Sequence, residues 1–95
     1  MALSTISSIE TSYTAPKQVV DQDKVFIYVH ESGNRTDAIN TQSGACGLGQ
    51  SLPCSKLPCS LQDYDCQDKW FSSYAIQRYG SWHNAREFWE ANRWW

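Results

Sequence analysis

Glu31 stands just behind the most apolar run of the chain, Val25-Phe26-Ile27-Tyr28-Val29, with only His30 between them. A carboxylate carried at the end of such a run loses solvation in its charged form. That raises its proton affinity toward the range in which it serves as a general acid. The same spacing equally suits a surface residue that merely ends a buried segment. Beyond it runs a loop rich in Gly, Ser, Asn and Thr, SGNRTDAINTQSGACGLGQ, which closes on Gln50. The Gln50 amide either faces a ligand or ties the loop down. Gly44, Gly47 and Gly49 allow close approach of a ligand or of a neighbouring helix. They do not form a dinucleotide loop, because no strand and helix of a βαβ unit flank them. His30-Glu31 lacks the second histidine of a zinc-protease motif. No metal site and no cofactor are expected.

Thr14-Ala15-Pro16 reads as a helix start, proline being tolerated in a first turn. With early charges at Asp21 and Asp23 and a stop at Ser32-Gly33, it predicts a helix of about 15 residues that becomes fully buried at its end. VFIYV on its own suits a buried strand equally well. Residues 33 to 60 read as loop, with GLGQSL as one short helical turn. Ser60 followed by Asp63 resembles a capping box. The helix behind it places Trp70, Phe71, Tyr74 and Ala75 on one face and ends at Gly80. Ser81 caps a further helix on which Trp82, Ala85, Phe88, Trp89 and Asn92 recur at helical spacing. That spacing argues first for core at Trp82 and Trp89, whereas Trp94 and Trp95 lie beyond the helix as exposed, flat apolar faces. Residues 1–15 show no trustworthy periodicity and read as a tail or linker, and 16–95 as one domain.

A chain of 95 residues buries a smaller fraction of its surface than a large domain does and needs reinforcement. Five tryptophans supply part of it. Four cysteines at spacings C-x7-C-x4-C-x6-C supply the rest, as two disulfides. A zinc site is the rival, but there is no close C-x2-C pair, and neither histidine lies beside the cysteines. Of the three possible connectivities, Cys46–Cys54 with Cys59–Cys66 closes the shortest loops at the least entropic cost. A net charge of −2 offers no basic field for nucleic acid or an anionic bilayer. No apolar stretch approaches the roughly 20 residues that span a membrane. Residues 2–15 lack the basic start and apolar middle of a secretory signal. Paired cysteines would then mean an export signal already removed, with Met1 an added start.

Taken together, Glu31-Ser32-Gly33-Asn34, Ala38-Ile39-Asn40, the run Ser43 to Gln50 with its GA-x-GLGQ element, Arg78-Tyr79-Gly80 and the Trp-rich end resemble the lysozyme-like superfamily. The closest branch is the small lytic transglycosylase domains of the aggregation-promoting-factor-like and resuscitation-promoting-factor-like type. The resemblance covers about residues 24 to 95 and implies a mainly α, lysozyme-like domain of three to four helices with a disulfide-stapled loop region. It also implies a secreted or cell-wall-associated bacterial monomer that cleaves peptidoglycan between N-acetylmuramic acid and N-acetylglucosamine. Glu31 is then the general acid and base. A lytic transglycosylase uses the sugar's 6-hydroxyl as nucleophile, and a muramidase uses water. A two-carboxylate mechanism needs a second acid about 5–9.5 Å away. Only Asp37 is near in sequence, so a single acid with an intramolecular nucleophile fits better. Ser43 and Gln50 become candidates for holding hydroxyl and N-acetyl groups, and Trp94 for stacking on a sugar. The chain departs from larger transglycosylases where those carry an Ala-Tyr-Asn-Ala-Gly-type motif. Here the region reads EFWEANRWW, and Tyr79, Trp89 and Asn92 are the candidates for supporting the acid or touching substrate. Cys46 stands where relatives often place an aromatic. The competing reading is a non-catalytic peptidoglycan-binding module that keeps a degenerate cleft.

Overall fold

The computed structural model describes residues 20–95; the tail assigned to 1–15 and the helix start at Thr14-Ala15-Pro16 lie outside them. The described residues form a mainly α domain of three helices: α1 (Gln22–Ser32), α2 (Tyr64–Tyr79) and α3 (Trp82–Asn92). A short 3-10 turn at Cys54–Lys56 lies in the long loop between α1 and α2. The loop is stapled by Cys46–Cys54, and Cys59–Cys66 pins its end to the first turn of α2. This is the pairing expected from loop length.

The helix ends follow local chemistry. α1 begins later than the proline suggested: Val20 and Asp21 are non-helical, and the Asp21 carboxylate accepts from the backbone N–H of Asp23 and Lys24 at 3.0 and 3.2 Å. Those two bonds satisfy donors that the first turn leaves free, so they set the start. α1 ends as expected at Gly33, whose φ of 65° lies in the left-handed region that glycine enters without a Cβ penalty. The expected burial of its last turn is corrected. Ile27 and Tyr28 are in the core, but Val29 is 48% exposed and His30 is exposed too. An α-helix turns only one stripe inward, and a continuous apolar run overfills it.

At α2 the cap is Asp63, which accepts from Cys66 N–H at 3.0 Å, and not Ser60, which lies in the preceding turn. Gly80 ends α2 and Ser81 caps α3 as the sequence indicated, the Ser81 hydroxyl accepting from Asn84 N–H. The GLGQSL segment is not helical. It is a turn closed by the bridge Cys46↔Ser51, with Ile39↔Cys46 bridging on the other side.

α3 packs against both α1 and α2, and the core gathers Ile27, Tyr28, Leu48, Phe71, Ala75, Trp82 and Ala85. Phe71 and Ala75 come from the face predicted for α2, where Trp70 and Tyr74 flank them half-buried. Ser32, Ser51 and Gln67 are the buried polar residues among those described, and Gln67, at 0% exposure, is the deepest: it donates from its amide to the carbonyls of Thr36 and Ser60 and accepts from Leu48 N–H. A buried amide left unbonded is costly, so these bonds fix three loop segments to α2 at once. Tyr28 donates to Asp68 at 2.8 Å, and Lys24 pairs with the same carboxylate, linking α1 to α2. Burial pushes the Tyr28 hydroxyl well above its ordinary range, and the Asp68 carboxylate adds to the effect.

Candidate functional site

Glu31 lies in the last turn of α1, half-buried, on a side flanked by α3. Across that interface the indole Nε1–H of Trp89 donates to its Oε2 at 2.6 Å. Trp89, 8% exposed, is itself held: Phe26 and His30 stack on each other at 4.0 Å, and both meet the indole edge-on at 5.3 and 4.9 Å. The Arg93 guanidinium lies over the indole at 5.4 Å. Fixed aromatics position a donor better than a flexible side chain would, because little rotamer freedom remains to be lost.

Burial raises the proton affinity of Glu31 above that of an ordinary glutamate, while the Trp89 bond and charge on His30 oppose the shift. Desolvation prevails, so the proton is held to higher pH than on a solvated side chain. This is the environment expected for a general acid.

The carboxylate opens onto a groove of about 430 Å³, within the range of ligand sites. Ser43, Asn40 and Gln50 from the long loop line one side, and Trp89, Arg93 and Trp94 line the α3 side. Among the described residues, Glu31 is the one acidic side chain that lines the groove. Asp37 is not among the lining residues; it is exposed and pairs with Arg35 at 3.4 Å.

Of the residues singled out from sequence, Glu31, Ser43, Gln50, Trp89 and Trp94 meet at this groove, and Tyr79 and Asn92 do not line it. Tyr79 packs on Phe88 and Trp95, and its hydroxyl accepts from the Arg78 guanidinium at 3.1 Å. Asn92 donates to the carbonyl of Phe88, one helical turn back. Among the candidates for supporting the acid, only Trp89 bonds to it. Gln50 serves the loop as well: at a φ of 59°, its amide donates to the carbonyls of Ala38 and Gly47 at 3.1 and 3.0 Å. Ser43 accepts from Ala45 N–H.

Trp94 is 52% exposed, as expected. Trp95 is a correction: it folds back, donates from its indole to the Gly49 carbonyl at 3.0 Å and packs on Phe71, Tyr74 and Trp82. A Cβ on Gly49 would meet Phe71 at 2.6 Å and Trp95 at 2.7 Å, so this glycine serves packing. Asn40, Leu52 and Arg93 line the groove without having been singled out as site residues. For Arg93 no spacing signal exists, because the residue leaves the helix in a left-handed conformation with φ of 67°. Asn40 carried the recognisable signal of an Asx turn, its side chain accepting from Gln42 and Ser43 N–H.

Among the described residues, no group of three or more His, Cys, Asp or Glu is placed to hold a metal ion. None of their helices is long and apolar enough to cross a membrane. Comparison with protein-family models, curated proteins and solved structures returns no match.

Proposed function

We propose that the chain cleaves peptidoglycan glycan strands between N-acetylmuramic acid and N-acetylglucosamine, with Glu31 as its single general acid and base, in a lysozyme-like domain. The observation that carries this reading is a desolvated, indole-bonded carboxylate opening onto a groove walled by tryptophan, asparagine, serine and glutamine. Flat indole faces suit sugar rings, and the few polar groups suit hydroxyl and N-acetyl groups.

In this mechanism Glu31 gives its proton to the glycosidic oxygen as the bond from that oxygen to the anomeric carbon breaks. The resulting oxocarbenium-like sugar is attacked by its own 6-hydroxyl, whose proton returns to Glu31. The new bond closes a 1,6-anhydro ring, and the acid is regenerated. The lack of a second acidic side chain among the described lining residues favours this intramolecular route over a two-carboxylate one. Two disulfides suit an oxidising, extracellular or cell-wall setting.

Release of soluble glycan from dye-labelled sacculi tests the reading. Glu31→Gln is expected to lower the rate by about 10²–10⁴-fold, the usual worth of a general acid. Undiminished release contradicts it. A non-catalytic peptidoglycan-binding module is the second reading, favoured by the net charge of −2, since an anionic wall attracts basic enzymes. Sacculus binding by the native chain without any soluble fragment would select it.

A further inference from the structure

The groove continues past the glutamate. Gln50, Leu52 and Trp95 in its wall also bound a second pocket of about 90 Å³, whose far side is made by Trp70 and Tyr74 of α2 and by Lys56. Trp70 and Tyr74 lie one turn apart and stack on each other, ring centroids 6.1 Å apart and planes 12° from parallel, so the far side of the pocket is aromatic. Lys56 is fixed at its backbone, donating to the Pro53 carbonyl at 3.0 Å, within the 3-10 turn that Cys46–Cys54 tethers. Its side chain is exposed and forms no ion pair or hydrogen bond among the described residues, none of which lines the pocket with an acidic side chain. An ammonium with no partner beside an aromatic wall suits a ligand that is part apolar and part anionic. The volume falls well below the roughly 300 Å³ at which sites for whole ligands begin. It suits a branch of a molecule whose main body occupies the larger groove.

We propose that this second pocket takes the acidic peptide arm carried on the lactyl group of muramic acid, with Lys56 meeting a peptide carboxylate and Trp70 and Tyr74 covering the lactyl and alanine methyl groups. The proposal rests on the glycan-cleaving reading of the groove and narrows the substrate to strands that keep their peptides.

Calorimetric titration of the Glu31→Gln chain, which leaves the ligand uncut, tests it with two probes. One is a peptidoglycan tetrasaccharide bearing its stem peptides; the other is the same tetrasaccharide stripped by an amidase, with the lactyl carboxylates so exposed capped as methylamides. The expected result is roughly fivefold tighter binding of the peptide-bearing probe, the scale of one exposed charge pair with apolar contact. Adding Lys56→Gln should remove that preference while leaving the stripped probe's affinity unchanged, and salt should weaken it. Equal affinity for the two probes, or equal weakening of both by Lys56→Gln, overturns the peptide pocket alone. Failure of both probes to bind overturns the glycan reading together with it.

Discussion

Trp89 and Glu31, 58 residues apart in sequence, meet through one 2.6 Å hydrogen bond from the indole Nε1–H to the carboxylate Oε2. The contact joins the end of α1 to the last turns of α3. It also sets two effects against each other at one acid: burial favours the proton, and the indole favours the charge.

Trp89→Phe keeps an aromatic ring and deletes the donor. Without the bond that favours its charged form, Glu31 should hold its proton to higher pH. In the pH profile of kcat/KM, the limb that falls with rising pH should therefore move upward. A limb left in place would mean that the indole does not tune the acid.

The same burial makes stability depend on pH. Between the ordinary glutamate value and the raised native one, the folded chain binds more protons than the unfolded chain, so stability falls as pH rises through that window. Below the window both states are protonated and nothing is lost. Glu31→Gln has no such penalty, so its melting temperature relative to the native chain should be higher at about pH 8 than at about pH 4. A difference independent of pH would place the carboxylate in a solvated environment.

Gln67→Leu fills a similar volume but strands Leu48 N–H and the carbonyls of Thr36 and Ser60. Urea unfolding should show a loss of about 2–4 kcal/mol, given the cost of buried groups left unbonded. A loss under about 1 kcal/mol would mean that water replaces the amide.

Gly49→Ala places a methyl group against Phe71 and Trp95. Overpacking of this kind costs about 1–3 kcal/mol. Because Trp95 borders both pockets, the variant should also lose glycan binding, measured by sacculus pull-down. Native stability and binding would show that the indole moves aside freely.

The second half of the fold was legible because its signals are local. Gly80 and Ser81 mark a stop and a cap, and Phe71, Ala75, Trp82, Ala85 and Trp89 repeat at helical spacing. The disulfides were readable from the shortness of the loops they close. The start of α1 was misread because Pro16 only permits a first turn, whereas Asp21 satisfies two of its donors. At the site, spacing near Glu31 fitted surface and interior equally well, and the choice depends on α3 laying Trp89 against it. Periodicity also says nothing of a residue past a helix end. Trp95 returns to the core only because Gly49 lets it approach, and Arg93 reaches the groove only by leaving α3 in a left-handed conformation.

Mass spectrometry of fragments released from purified sacculi bears most directly on the role of Glu31. The native chain should release muropeptides with 1,6-anhydro ends, each lighter by one water than its hydrolysed counterpart, and Glu31→Gln should release none. Anhydro products formed equally by both chains, or no fragments from either, would contradict the assignment of Glu31 as the acid that breaks the glycan.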